Sequence, residues 1–280
     1  MSVGLVLEGG AMRGMYTAGV LDIFLDNNIK VDCIVGVSAG VLFGSNYISK
    51  QRGRTIRYNK KYIKDERYMS LKSLITTGNL VNKDFCYYEL PSKLDVFDEE
   101  EFEKSYIDFW ATVTNVETGK PEYIKIKNVF EQMEVFRATS AMPFVSKMVE
   151  LGNNKYLDGG IADSIPVGKC KELGYDKIIV ILTRPLHYRK KRQFEFITNI
   201  VYRKYPNLVN AMNNRYKIYN ETADKIIDME KKKEIFVIRP SKALKVKRVE
   251  KDPNKLQAMY DLGVEDCKNV LDELKKFLEK

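Results

Sequence analysis

Ser38 lies between two glycines in the segment Gly36-Val37-Ser38-Ala39-Gly40, which matches the G-x-S-x-G pattern of a nucleophile elbow. Glycines permit a sharp turn between a strand and a helix where larger side chains would collide. Such a turn exposes the serine hydroxyl beside a helix N-terminus, whose free N–H groups favour developing negative charge. The pattern predicts a nucleophilic serine, and the alternative is a plain strand-to-helix turn with a serine N-cap.

The glycine-rich segment EGGAMRG, residues 8–14, also follows a short apolar run. Turns of this kind expose backbone N–H groups to an anion. Two functions fit: binding of a dinucleotide phosphate, or an oxyanion hole that stabilises a tetrahedral intermediate. The G-x-G-x-x-G pattern of the first is not met, because Ala11 stands where its second glycine should be. With a serine elbow after the next predicted strand, we favour the oxyanion hole.

A nucleophilic serine needs a proton acceptor, and the chain has one histidine, His187. His187 follows a predicted strand and lies beside a basic cluster, a position typical of an exposed loop. The other candidate is Asp158, which precedes Gly159 and Gly160 after a predicted strand; its alternative is an ordinary Asx turn. Aspartate is about 2.6 pKa units less basic than histidine. An aspartate base therefore requires a partly desolvated site that raises its pKa.

The three segments, in this order, resemble those of the patatin-like phospholipases, a family of lipid acyl hydrolases with a serine–aspartate dyad. The resemblance rests on LEGGAMRGMY, GVSAG and YLDGGIADSIPV, with ATSAMPF at 138–144, and spans roughly residues 3–185. It implies that Ser38 is the nucleophile and Asp158 the base. It also implies an oxyanion hole formed by the backbone N–H groups of Gly9, Gly10 and Ala11, with help from Arg13.

The resemblance further implies a three-layer α/β/α sandwich and neither a metal nor a cofactor. One departure is visible, because Ala11 stands where the family usually has a third glycine. Alanine keeps the N–H group, so we expect the oxyanion hole to be retained if the backbone φ at Ala11 is negative. Beyond residue 190 the resemblance is loose.

Hydrophobic periodicity predicts the elements that would position these segments. Two strand–helix units at the start of the chain indicate an α/β fold with a mainly parallel sheet and helices on its faces. The later predicted strands are a pair within 109–126 and single strands at 155–158, 176–185 and 234–240. The later predicted helices cover 128–141, 167–174 and 207–233, the last with a potential break near Tyr216, and an amphipathic helix from 255 closes the chain. We expect a single domain, 1–280, with a motif-bearing core at about 3–185, a helical C-terminal extension at about 190–280, and an insertion or cap at 52–104.

The chain has 47 Lys and Arg residues against 38 Asp and Glu residues, a net charge of +9. The densest basic clusters are Arg189–Arg192 and Lys245–Arg248. Of three interpretations of these clusters, we rank a solvated surface first, binding to an anionic membrane second and binding to nucleic acid last. The N-terminus lacks the features of a signal peptide, and no apolar run approaches the roughly 18 residues of a membrane span. Four cysteines without a C-x-x-C pair indicate a reducing compartment. We therefore expect a cytoplasmic protein, with peripheral contact to an anionic membrane left open.

The residues and the resemblance together predict a serine acyl hydrolase that cleaves carboxylic esters of phospholipids or lysophospholipids. Two alternatives remain open. In the first, the protein is a lipid acyltransferase that passes the acyl group to an acceptor other than water, or a thioesterase that takes the acyl group from a thioester. The protein could instead bind lipid at a membrane surface with weak or lost catalysis. No nucleic-acid partner is expected, because no basic helix with interleaved aromatic residues is present.

Overall fold

The computed structural model describes residues 1–192 and 195–279. Across these residues, eight strands form one sheet and helices cover both of its faces. The strands are β1 (Val3–Leu7), β2 (Cys33–Val37), β3 (Asp108–Asn115), β4 (Pro121–Ile126), β5 (Val149–Leu151), β6 (Asn154–Asp158), β7 (Lys177–Ile181) and β8 (Phe236–Ile238).

The α-helices are α1 (Met15–Asp26), α2 (Ala39–Ile48), α3 (Arg54–Tyr62), α4 (Leu71–Thr77), α5 (Glu99–Glu103), α6 (Met133–Thr139), α7 (Val167–Glu172), α8 (Glu195–Val201), α9 (Pro206–Lys231) and α10 (Pro253–Glu279). Two short 3₁₀ turns, Ala11–Gly14 and Gly159–Ile161, and a wide π-type helix, Asp84–Leu94, complete the helical elements of the described chain. No helix formed by these residues is both long enough and apolar enough to cross a membrane.

The centre of the sheet is parallel, in the order β3-β2-β1-β7-β8. At the other end, β4 and β6 run antiparallel to β3, and β5 runs antiparallel to β6. Strands of a parallel sheet are buried on both faces, which explains the continuous apolar runs of β1, β2 and β7. The predicted α/β fold with a mainly parallel sheet is confirmed.

Alternate side chains of β1 join different cores, which gives the three layers. Leu5 and Leu7 pack into the larger core, with Phe24 of α1 and residues of α10. Val6 packs into the core on the opposite face, with Ile226 of α9 and residues of α7. The period of two along a strand sends successive side chains to opposite faces. The predicted α/β/α sandwich follows from this alternation and is confirmed.

The closing helix α10 crosses α1 at very short range because each helix has a glycine at the contact. A Cβ atom on Gly19 would lie 2.2 Å from the carbonyl oxygen of Tyr260, and one on Gly263 would lie 2.1 Å from that of Tyr16. The Tyr260 hydroxyl also donates a hydrogen bond to Asp22 at 2.6 Å. The C-terminal helix is therefore packed tightly on the first helix of the motif-bearing core.

Two predicted helices differ from the observed ones. The helix predicted over 128–141 is confined to α6, because the side chain of Gln132 accepts hydrogen bonds from the N–H groups of Lys127 and Asn128 and holds that stretch in a turn. The long helix predicted over 207–233 is observed as α9, which continues through Tyr216 without a break.

Candidate active site

The pairing of three strands brings the ends of β2 and β6 together. Along β3, Thr112 pairs with Val37 of β2 and the next residue, Val113, pairs with Asp158 of β6. Because β4 occupies the other edge of β3, β6 continues along the edge where β2 stops. Ser38, directly after β2, therefore faces Asp158 at the end of β6. The two residues meet although 120 positions separate them in the chain.

The backbone at Ser38 is strained, with φ +53° and ψ −121°. Its N–H donates a 2.9 Å hydrogen bond to the hydroxyl of Thr139, which in turn donates to the carbonyl oxygen of Thr112 at 2.6 Å. Thr139 is fully buried at the end of α6. This chain of hydrogen bonds ties the turn to β3 and holds Ser38 in a conformation that non-glycine residues rarely adopt.

The glycines of the predicted elbow allow the close packing around this turn. A Cβ atom on Gly40 would lie 2.6 Å from the carbonyl oxygen of Leu7, so α2 can approach β1 only with glycine at this position. A Cβ atom on Gly36 would lie 3.0 Å from the backbone nitrogen of Val41. The packing fits the strand–turn–helix context that the G-x-S-x-G pattern requires.

Asp158 is 7% exposed and holds the turn that follows it. Its side chain accepts a 2.7 Å hydrogen bond from the N–H of Gly160, and a Cβ atom on Gly159 would lie 2.1 Å from the carbonyl oxygen of Thr112. Burial raises the pKa of the Asp158 carboxyl, while Arg215, the Ser38 hydroxyl and the Gly160 N–H act in the opposite direction. The carboxyl is thus both an Asx-type cap and a group of raised basicity beside a serine.

The glycine-rich segment ends in the 3₁₀ turn Ala11–Gly14. The N–H of Gly9 donates to the carbonyl oxygen of Ser164 at 3.4 Å, whereas the N–H groups of Gly10 and Ala11 have no hydrogen-bond partner among the residues described. The φ at Ala11 is +49°, so the condition of a negative φ is not met, although the Ala11 N–H has no partner among the described residues. The chain enters its turn through the left-handed region, which costs an alanine about 1 kcal/mol relative to glycine.

A cavity of about 320 Å³ brings most of the predicted site residues together. Those lining it are Gly9, Gly10, Ala11, Arg13, Ser38, Asp158 and Gly160. His187 is exposed in the loop after β7 and lines neither this cavity nor its neighbour. The geometry therefore places a carboxylate, and no imidazole, beside Ser38.

A second cavity of about 140 Å³ meets the first at Ser38. Four residues line both: Ala11, Ser38, Met142 and Arg248. The rest of its lining is mostly apolar and comes mainly from α2, α6 and the segment 52–104, including Leu42, Phe43, Tyr87, Leu90 and Met133. Ser38 thus lies between an apolar cavity and a polar one.

Several residues of the polar cavity were not singled out in the sequence. Glu8 is buried and accepts hydrogen bonds from the N–H and hydroxyl of Thr183, at 2.5 and 3.0 Å, and from the hydroxyl of Tyr219 at 2.8 Å. Arg215 of α9 also lines the cavity. The positions of Tyr219 and Arg215 have no local sequence signal, because only the docking of α9 brings them to the site.

Comparison with family models gives two matches. The model described as patatin-like phospholipase matches residues 5–170, and the model described as a domain of unknown function (DUF6363) matches residues 205–279. Among curated proteins, the chain is 31% identical over 193 residues to the uncharacterized protein YjjU of Escherichia coli K12. That alignment covers 65% of this chain and 52% of YjjU.

The chain is also 26% identical over 191 residues to lysophospholipase nte1 of Aspergillus fumigatus, covering 64% of this chain and 12% of that protein. It therefore spans about half of one of these relatives and a small part of the other. Among solved structures, VipD from Legionella pneumophila aligns with a TM-score of 0.45 and 11% identity, covering 97% of this chain and 67% of VipD.

Proposed function

Because this chain belongs to the patatin-like phospholipase family, we propose that it is a serine acyl hydrolase of lipid carboxylic esters, with Ser38 as nucleophile and Asp158 as base. One observation carries the proposal. Ser38 and a buried carboxyl of raised pKa, Asp158, line the same cavity beside unpaired backbone N–H groups. Burial supplies the basicity that an aspartate needs to replace histidine.

In the first half of the reaction, the Ser38 oxygen forms a bond to the ester carbonyl carbon and its proton passes to Asp158. The N–H groups of Gly10 and Ala11, with Arg13 nearby, stabilise the negative charge on the carbonyl oxygen. In this proposal the Gly9 N–H stays on Ser164 and holds the turn. The carbon–oxygen bond to the alcohol then breaks, and the leaving oxygen takes the proton from Asp158.

In the second half, water attacks the acyl–Ser38 ester. Asp158 accepts a proton from the water and returns one to the Ser38 oxygen as the fatty acid leaves. We assign the acyl chain to the apolar cavity, since its lining of Phe43, Leu90 and similar residues matches a hydrocarbon and it opens at Ser38.

We further propose peripheral contact with a lipid surface through α8. Its residues Phe196, Ile197, Ile200 and Val201 recur on one helix face and are more than half exposed. Phe144, which lines the polar cavity and is itself exposed, packs against the tilted ring of Tyr202 just beyond α8. An exposed apolar face next to the cavity suits a protein that draws its substrate from a lipid surface.

The test is labelling with a fluorophosphonate probe, mass spectrometry of the adduct, and release of fatty acid from a lysophospholipid. We expect the adduct on Ser38, with labelling and fatty acid release reduced at least about 1,000-fold in Ser38→Ala and Asp158→Asn. His187→Gln is the matched control and is expected to behave like wild type. Labelling that survives Asp158→Asn but disappears in His187→Gln would contradict the dyad.

Product analysis in the same assay separates hydrolysis from acyl transfer. With glycerol added as an acceptor, a hydrolase releases mainly free fatty acid, whereas an acyltransferase forms mainly acylglycerol. Vesicle binding without labelling or turnover would favour a lipid-binding protein instead.

A further inference from the structure

The polar cavity contains more basic than acidic side chains. Its described lining includes five basic side chains, namely Arg13, Arg184, Lys190, Arg215 and Arg248. Only two acidic side chains, Glu8 and Asp158, lie in the same lining. A hydrolase of neutral esters needs one cation at most near its oxyanion, so the others require a separate explanation.

The two acids do not neutralise these cations by direct pairing. Both oxygens of Glu8 are already engaged by Thr183 and Tyr219, and Asp158 accepts from Gly160. In residues 1–192 and 195–279, none of the five cavity cations lies within salt-bridge distance of a carboxylate. In addition, the buried Nε atoms of Arg13 and Arg215 have no hydrogen-bond partner there. Buried donors are usually satisfied, so these two call for an acceptor.

Neighbouring basic residues show the contrast. Arg189 pairs with Asp224 at 2.5 Å and Arg192 pairs with Glu195 at 2.7 Å, both on the protein surface. Lys190, from the same basic cluster, points inward instead and lies 4.0 Å from the centre of the Tyr219 ring. Its backbone is held by Asn220, which accepts from its N–H at 2.7 Å. The structure thus separates one lysine of the cluster from the others and keeps it in the cavity.

Burial and, after it, neighbouring positive charges lower the pKa values of two of these groups. Burial, together with Arg215, lowers the pKa of Lys190 to about 6. Burial, together with Arg184, lowers the pKa of Arg13 to about 10. A bound anion would pair with these groups and favour their charged forms. The lining of the cavity is therefore electrostatically complementary to an anion.

The cations that surround the cavity come largely from outside the motif-bearing core. Arg215 lies on α9 and Arg248 precedes α10, so both belong to the stretch that matches a domain of unknown function. The Arg215 guanidinium lies against Gly160, since a Cβ atom there would approach its Nη2 to 3.1 Å. Arg248 lines both cavities, as Ser38 does.

We propose that Arg184, Lys190, Arg215 and Arg248, here called the basic subsite, bind the phosphate group of a lipid ester whose carbonyl lies at Ser38. Guanidinium groups match phosphate oxygens in charge and in the geometry of their paired N–H donors. The inference rests on the proposed function, because it assumes that an ester is held at Ser38. It assigns the phosphate of the predicted phospholipid substrates to these four side chains and gives the C-terminal stretch a role in recognising that group.

The test is equilibrium binding to the full chain carrying Ser38→Ala, which keeps the ligand intact. The two probes are lysophosphatidic acid and a monoacylglycerol with the same acyl chain, each below its aggregation concentration. We expect lysophosphatidic acid to bind at least about tenfold more tightly, as charge-assisted hydrogen bonds imply. Equal dissociation constants for the two probes would overturn the inference.

Three further variants, each combined with Ser38→Ala, show which residues cause the preference for lysophosphatidic acid over the monoacylglycerol. Arg215→Gln and Arg248→Gln should each reduce the ratio of the two dissociation constants at least about threefold. Arg203→Gln removes the same charge from an exposed position outside both cavities and should keep the ratio. Arg248 is exposed as well as cavity-lining, so Arg248→Gln tests the subsite even if Arg215→Gln does not fold. A ratio that changes equally in Arg203→Gln would contradict a local subsite.

Inorganic phosphate distinguishes a head-group site from a site for a separate anion. If the subsite holds the lipid phosphate, inorganic phosphate competes with lysophosphatidic acid. If phosphate binds without weakening lysophosphatidic acid, the inference is wrong. Ester hydrolysis by the wild-type chain is measured in parallel. A wild-type chain without esterase activity would contradict the proposed function, whereas the ratio of the two dissociation constants tests the basic subsite.

Discussion

Asp158 must be ionised to accept a proton, and yet its surroundings favour the neutral form. Burial is the largest influence on its pKa and raises it, while Arg215 and the Ser38 hydroxyl only partly compensate. The same desolvation that makes the carboxylate basic therefore makes it costly for the folded protein to hold it ionised. A site of this kind trades stability for reactivity.

The first prediction concerns this cost. Stability from an acid with a raised folded-state pKa is fully present below its unfolded pKa, near 4, and is lost as pH rises through the folded value. Asp158→Asn removes the ionisation and keeps an oxygen acceptor for the Gly160 N–H. We expect it to raise the free energy of unfolding at pH 7 by about 0.5–2 kcal/mol and to differ little from wild type near pH 4. Urea unfolding at both pH values measures this; an equal or lower stability at pH 7 would contradict it.

At the residue level, the motifs predicted which residues would meet, but not their backbone state. Ser38, Asp158 and the glycine-rich segment do line one cavity. Ala11 has a positive φ and so does not meet the condition that we set for the oxyanion hole, because φ depends on how the turn docks and not on the residue alone. Arg215 and Arg248 were beyond prediction as site residues, since neither lies in a motif.

At the level of elements, the elbow depends on α6 as well as on β2. Thr139 connects the Ser38 N–H to the carbonyl of Thr112, so one buried hydroxyl fixes the nucleophile against the sheet. The sequence placed this threonine in a family-like segment, ATSAMPF, without indicating its role. The role follows from the crossing of α6 over the end of β3, which is a tertiary contact.

The second prediction tests Thr139 as a positioning residue. Thr139→Val removes both hydrogen bonds and leaves two buried backbone groups unpaired, at about 1–3 kcal/mol each. We expect kcat for ester hydrolysis to fall about 10- to 100-fold with a smaller change in KM, because Ser38 loses its orientation. Thr139→Ser restores the hydroxyl and should recover most of kcat. A Thr139→Val enzyme that is less stable but retains its kcat would show that the threonine is only structural.

For the whole molecule, strands and most helices followed from periodicity, whereas their arrangement around the site did not. The placement of β6 on the same edge of β3 as β2, and of α9 beside the cavity, depends on contacts distant in sequence. The net charge of +9 likewise did not predict where the basic side chains lie in the structure. The structure pairs some basic residues with acids on the surface, as in Arg189–Asp224, and leaves the basic side chains of the cavity without a carboxylate partner among the described residues.

The last prediction concerns how the whole molecule meets lipid. Phe196 and Ile200 of α8 are 75% and 55% exposed, and burying such side chains is worth about 1.5–3 kcal/mol each. We expect the double variant Phe196→Ser, Ile200→Ser to bind vesicles of mixed neutral and anionic phospholipid at least about tenfold more weakly in a sedimentation assay. Hydrolysis of a monomeric soluble ester should be unaffected, since neither residue lines either of the two cavities described at Ser38. Val96→Ser, which removes an exposed apolar side chain outside α8, serves as the control. Equal vesicle binding by the double variant and wild type would exclude α8 as the membrane contact. The basic clusters Arg189–Arg192 and Lys245–Arg248 would then be the favoured contact.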